Sequence, residues 1–255
     1  MSALAGRGVV ITRAQSQAID LADALRAAQA VPLQYPSLEI QPIAVAGLSN
    51  LAKRLARIDW LIFISRNAVT HGVAALRRAG AWPCANRLAA IGPGTAAQLQ
   101  ACGATNVLYP EVSADTEALL ARMQVHGCAG QQVLIVKGAG GRALLAEALR
   151  GRGCEVSELV CYQRVCPPID LRPLLTQYEA GHVHALTAFS AEALGNFVTR
   201  LGPAAPALLR QLPVFTVHPR IAAEAKRLGA EQALVVPAEA SAMVRALVAY
   251  FETTR

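Results

Sequence analysis

With 255 residues, 54% of them hydrophobic and a mean hydropathy of +0.35, the chain has the material for one large core or two smaller ones, and disorder is excluded. Its apolar residues come in short runs broken by Gly, Pro or charge; none approaches the roughly 20 needed to span a bilayer, and the first residues lack the long apolar stretch of a signal peptide, so a cytoplasmic protein with no membrane association is expected. The 24 Lys and Arg against 17 Asp and Glu give +7, which favours an anionic partner, yet 5% aromatic residues and no long basic block argue against nucleic acid and for a small polyanion.

In chain order, short β-rich runs alternate with amphipathic stretches of helical period. Strands are expected at 8–12, 31–35, 60–64, 88–91, 106–109, 132–136, 156–160, 185–189, 214–217 and 233–236. Helices are expected at 15–29, 66–79, 94–102, 114–125, 141–152, 191–201, 219–228 and 240–252, with Gly103 and Gly229 where C-terminal caps would fall. This alternation predicts parallel sheets covered by helices on both faces.

The chain also repeats itself. Val9-Val10-Ile11-Thr12-Arg13 aligns with Val133-Leu134-Ile135-Val136-Lys137, and Leu21 to Arg26 with Leu145 to Arg150, both displaced by 124 residues. Trp60 to Ser65 answers Ala185 to Ser190, and Ile91-Gly92-Pro93 answers Val217-His218-Pro219. A period this long means duplicated domains of five strands each and not a solenoid of short units. Two Pro-bounded extended stretches, Pro36 to Pro42 and Cys161 to Pro168, occupy equivalent places and are expected to cross between domains. The repeat allows a sequential division, 1–125 and 126–255, or an inserted second domain.

In an open parallel sheet, ligands bind where strands end and helices begin, because helix N-termini present unpaired N–H groups and a positive dipole end. Small or polar clusters stand at six such places: Thr12-Arg13, Ser65-Arg66-Asn67, Gly92-Pro93-Gly94-Thr95, Lys137 to Arg142, Ser190, and His218-Pro219-Arg220. Each by itself reads as an ordinary helix cap, whereas six in a basic protein suggest a carboxylate or phosphate cleft. The glycine-rich loop from Lys137 through Gly141 and Arg142 fits no nucleotide fingerprint, the five His and six Cys lack metal-ligand spacing, and Ser65 and Ser190 lack a nucleophile elbow. No cofactor and no metal are expected. The cysteines read as small core residues of a reducing compartment. Tyr162, in the second crossing stretch, carries a phenol suited to donating a proton while neutral at pH 7, although a tyrosine here is also an ordinary packing residue.

The motifs Val10 to Arg13, Ile62-Phe63-Ile64-Ser65-Arg66-Asn67-Ala68-Val69, Ala90-Ile91-Gly92-Pro93-Gly94-Thr95-Ala96, Gly140-Gly141-Arg142 with Leu145, and Cys161-Tyr162-Gln163-Arg164 occur in an order and at spacings that resemble the uroporphyrinogen-III synthase family. The resemblance implies two flavodoxin-like α/β domains, each with a five-stranded parallel sheet and helices on both faces, joined by a two-stranded crossing. It selects the inserted division: 1–38 with 167–255 as one domain, 44–158 as the other, and 36–43 and 159–168 as crossings. It further implies a cofactor-free monomeric lyase that closes hydroxymethylbilane, an octacarboxylate, into uroporphyrinogen III in heme biosynthesis, with transient contact to the preceding enzyme of the pathway. Tyr162 is then the catalytic acid. Thr12, Arg13, Ser65, Arg66, Asn67, Gly92, Thr95, Lys137, Gly141, Arg142, Ser190, His218 and Arg220 would bind substrate, largely through backbone N–H groups. The family's second Thr-bearing turn is replaced here by Val217-His218-Pro219-Arg220-Ile221, so no catalytic hydroxyl is expected at Ile221. The same repeat and charge would also serve a two-lobed, non-catalytic binding or regulatory protein for an anionic ligand.

Overall fold

A computed structural model describes residues 2–45, 47–84, 86–111, 115–124, 129–140 and 143–254. By its internal contacts the chain divides into two compact units, 1–39 with 165–255 and 40–164.

The first unit holds a sheet of β1 (Gly8–Ile11), β2 (Val31–Gln34), β9 (Val183–Ala188), β10 (Val214–Thr216) and β11 (Ala233–Val235), in the order β11-β10-β9-β1-β2. All its neighbours pair in parallel. Central strands read as continuous apolar runs because both faces are covered: all four residues of β1, Gly-Val-Val-Ile, are buried. One face packs α1 (Gln15–Ala27) and α11 (Ala240–Thr253) through Leu21, Leu25, Met243 and Leu247. The other packs α7 (Arg172–Glu179), α8 (Ala191–Leu201), α9 (Ala205–Gln211) and α10 (Pro219–Arg227) through Leu174, Phe197, Leu208 and Ile221.

The second unit is built on β4 (Trp60–Phe63), β5 (Arg87–Ala90), β6 (Val107–Leu108), β7 (Gln132–Gly138) and β8 (Glu155–Val165), with β3 (Glu39–Pro42) on the edge, in the order β3-β8-β7-β4-β5-β6. Helices α2 (Leu48–Leu55), α3 (Arg66–Arg78) and α4 (Pro93–Ala101) cover one face, and α5 (Thr116–Gln124) and α6 (Leu144–Gly151) the other. If strands are numbered from β1 in one unit and from β7 in the other, both sheets read 2-1-3-4-5, with β7, β8, β4, β5 and β6 answering β1, β2, β9, β10 and β11. The internal repeat thus appears as one topology, entered at a different strand in each unit.

Four features correct the sequence reading. The second sheet has six strands instead of five, because part of the first Pro-bounded stretch forms β3 beside β8. The expected strand at 156–160 runs from Glu155 to Val165, so Tyr162 lies within β8 itself. Helices α2, α7 and α9 were not expected; α7 and α9 each carry a proline in the first turn, where the missing N–H breaks no helical bond. Cys166, expected in a core, is exposed, whereas Cys154 and Cys161 are buried. Gly103 and Gly229 do follow helix ends with left-handed φ of 96° and 106°. Among the described residues no helix is long and apolar enough to cross a membrane, and no group of three or more His, Cys, Asp and Glu is placed to hold a metal ion.

Candidate functional site

Because β1, β2, β9, β10 and β11 pair in parallel, as do β4, β5, β6, β7 and β8, each sheet gathers its strand-to-helix turns on one edge. In the first unit β1 leads to α1 on one face and neighbouring β9 leads to α8 on the other, so the chain parts at the β1/β9 boundary. In the second unit the boundary falls between β7 and β4, whose helices α6 and α3 likewise cover opposite faces. Such switch points are where open α/β sheets leave a crevice for ligand.

At the first of these edges Thr12 is fully buried, and its hydroxyl donates to the Thr187 carbonyl at 3.0 Å while the Thr187 hydroxyl donates to Val10 O at 2.9 Å. The Thr12 side chain therefore clamps β1 to β9, and contact with a ligand falls to the backbone. Arg13 lays its guanidinium 4.5 Å from the Phe189 ring centroid and donates from Nε to Gln17 Oε1 at 3.0 Å. Ser190 caps α8, its Oγ accepting the Ala193 N–H at 3.4 Å. His218 caps α10, its Nδ1 accepting the Arg220 N–H at 3.1 Å, and Arg220 is exposed. Ile221 is buried in the core below.

At the edge of the second unit, Ser65 is the N-cap of α3, its Oγ accepting the Ala68 N–H at 2.9 Å. Arg66 is exposed and Asn67 half-buried in the turn that follows. Gly92 caps α4 with extended backbone, φ −176°, and Thr95 is buried in the first turn. Lys137, whose residue is only 8% exposed, is held by Glu158 at 3.2 Å, so its charge is already neutralised within the sheet. Gly141 and Arg142 lie outside the described residues.

The pair that the fold brings together is Ser65 and Tyr162, 97 positions apart, with 3.0 Å between Ser65 Oγ and the phenol oxygen. A β-bulge makes this possible. Lys137 pairs with Val160 but Gly138 pairs with Tyr162, leaving Cys161 as the extra residue. In an unbroken strand Cys161 and Tyr162 would point to opposite faces; after the bulge both join the core under α3. Tyr162 is 4% exposed. Its ring lies where a side chain at 138 would be, since a Cβ there would fall 2.6 Å from two ring carbons. His71 of α3 flanks it at 5.6 Å between ring centroids, and burial holds the imidazole below its usual pKa. Burial also pushes the Cys161 thiol up to about 11, so it stays a neutral packing group and donates to Lys137 O at 3.4 Å.

Sequence reasoning placed Gly138 in the Lys137 to Arg142 loop but not against Tyr162, and missed His71 and Glu158 as neighbours of the site. Gly138 had a usable signal, a glycine continuing an apolar strand, which marks a bulge or a close approach. The other two meet their partners only through packing. Open crevices of about 530 and 490 Å³ lie at the opposite edge, where β4 and β5 begin, lined by Asp59, Trp60 and Arg87 among others. They hold none of the six strand-to-helix turns named above.

The family model of uroporphyrinogen-III synthase HemD matches residues 19–244. The uroporphyrinogen-III synthase of Salmonella typhimurium is 34% identical over 249 residues, covering 94% of this chain and 99% of the relative. That of Escherichia coli is 30% identical over 73% of this chain and 76% of its own length. Among solved structures, a mutant uroporphyrinogen III synthase from Thermus thermophilus aligns over 98% of this chain and 100% of its own with a TM-score of 0.68 at 16% identity. The Helicobacter pylori uroporphyrinogen-III synthetase aligns over 96% and 99% with a TM-score of 0.51 at 14% identity. The first of these supports the α/β fold with helices on both faces, and the matched span and the two relatives decide the family: the chain belongs to the uroporphyrinogen-III synthases.

Proposed function

We propose that this chain cyclises hydroxymethylbilane to uroporphyrinogen III, in the cytoplasm and without a cofactor, through two flavodoxin-like lobes that each offer an anion-receptive edge to the substrate's carboxylates. Family membership carries this reading. The ligand edges support it: Ser65, Gly92, Ser190 and His218 cap helices whose first turns leave N–H groups for carboxylate oxygens, with Arg66 and Arg220 exposed beside them and a net charge of +7 over the chain. Asn67 and Thr95 stand in the first turns of two of these helices, and Thr12, Arg13, Gly141 and Arg142 are further substrate contacts in this reading. Lys137 binds substrate only if it parts from Glu158.

The reaction begins with departure of the ring A hydroxyl as water, leaving an azafulvene cation. The substituted carbon of ring D attacks it, and the resulting spiro intermediate fragments and recloses with ring D inverted. The protein must hold both ends of a flexible chain in one geometry and supply a proton to the leaving oxygen. Tyr162 is the acid: the bulge, Gly138 and Ser65 fix the position of its phenol.

The test supplies hydroxymethylbilane and separates uroporphyrinogen isomers. Wild-type protein is expected to give the III isomer above a background of spontaneous type I product; type I alone would reject the activity. Tyr162→Phe is expected to lower turnover by roughly 10² to 10⁴ while its remaining product stays mainly type III. A merely packed tyrosine would leave turnover within about threefold and cost about 1 kcal/mol of stability for the lost hydrogen bond.

A further inference from the structure

We infer that Ser65, and not the phenol itself, is the group that touches the leaving hydroxyl, and that Tyr162 delivers its proton through Ser65. This rests on the acid role proposed above for Tyr162.

Exposure separates the two residues. Tyr162 is 4% exposed and sealed between α3 and Gly138, whereas Ser65 is half-buried at the open end of β4, where α3 begins. A substrate at the strand ends therefore meets Ser65 first. Bond counting agrees. A serine oxygen has two lone pairs and one proton. One lone pair takes the Ala68 N–H. If the Tyr162 O–H donates into the other, both are filled and the Ser65 proton is left for an acceptor outside; among the described residues Ser65 Oγ has no further hydrogen-bond partner. The positive end of α3 favours negative charge building on that oxygen as the proton leaves.

The step balances. The Ser65 proton passes to the ring A hydroxyl oxygen, the carbon–oxygen bond breaks with its electron pair leaving as water, and the pyrrole nitrogen's lone pair forms the exocyclic double bond. The Tyr162 proton moves to Ser65 Oγ, leaving a phenolate. When the ring finally closes, the proton lost from the unsubstituted carbon of ring D returns through Ser65 to the phenolate, so both hydroxyls finish as they began.

The experiment compares Ser65→Ala, Ser65→Asn, Ser65→Thr, Tyr162→Phe and the Ser65→Ala/Tyr162→Phe double variant, each checked for folding by circular dichroism, in the isomer-separating assay. Asparagine retains a helix-capping oxygen but no transferable hydroxyl proton, and so separates capping from relay. Ser65→Ala and Ser65→Asn are expected to lose turnover by about as much as Tyr162→Phe, roughly 10² to 10⁴, with little change in KM. The double variant should fall no further than either single one, and Ser65→Thr should stay within about threefold of wild type. In mixed light and heavy water the wild-type rate should bend with deuterium content, as two protons in flight require, and become linear in the single variants. Near-wild-type turnover in both Ser65→Ala and Ser65→Asn, with Tyr162→Phe impaired, would overturn the relay and leave Tyr162 donating directly. Losses that multiply in the double variant would overturn it too. Near-wild-type turnover in Tyr162→Phe would remove the acid reading and the relay together.

Discussion

The Tyr162 ring occupies the space that a side chain at Gly138 would need: a Cβ on Gly138 would sit 2.6 Å from two of the ring's carbons and 3.1 Å from a third. The two residues face each other across β7 and β8 because the bulge at Cys161 shifts the register by one. Gly138→Ala is therefore expected to push the phenol off Ser65. Overpacking of this kind costs about 1–3 kcal/mol, but the loss of activity should be larger than that loss of stability implies, with turnover down at least tenfold in protein that is still folded. Circular dichroism and turnover measured on one preparation check this; full activity would show that the phenol's position is unimportant.

Exposed cations at the helix-capping turns should govern affinity. Arg66→Glu and Arg220→Glu are expected to weaken uroporphyrinogen binding more than Arg245→Glu, which reverses an exposed charge on α11 away from those turns. Affinity should fall as salt rises, since the screening length is only about 8 Å at physiological ionic strength. Titration at two salt concentrations checks both statements, and equal effects at the three positions would argue against a localised anion site.

Stability should decline on the acid side of neutrality. Burial lowers the pKa of His71, and burial followed by the nearby Arg7 charge lowers that of His184, whose Nδ1 accepts the Gly8 N–H at 3.1 Å. For both groups the unfolded chain takes up a proton before the folded one does. Their contribution is thus complete above the ordinary value near 6.5 and is lost as pH falls from there through the lowered values. Both rings keep solvent contact, which limits the effect. Tm measured from pH 7.5 down to 5 should fall, and replacing both by Gln, which still offers Gly8 an acceptor oxygen, should flatten that slope.

The division of the chain makes a prediction about folding. A fragment spanning 39–165 carries all six strands of the second sheet and is expected to fold cooperatively alone, whereas 44–158 lacks β3 and the Tyr162 end of β8 and should be less stable. Thermal melts of the two fragments test this. A fragment 1–125 that melts cooperatively while 39–165 stays unfolded would favour the sequential division.

Local pattern was enough for much of this protein. The buried runs of β1 and β4, the glycines ending α4 and α10, and the helix caps at Ser65, Gly92, Ser190 and His218 follow from hydrophobic period and cap chemistry, which act over a few residues. The repeat displaced by 124 residues made the duplicated architecture legible as well. Only tertiary structure decided the rest. Whether Glu39–Pro42 pairs as a strand depends on β8 beside it, and whether Tyr162 faces α3 or the opposite side depends on one extra residue in a register set by β7. The Thr12 hydroxyl is taken up by Thr187 and the Lys137 charge by Glu158, neither of which local spacing encodes. A side chain's chemistry is fixed by its type. What remains free to act on a substrate is fixed by partners that reach it only when distant strands pack together.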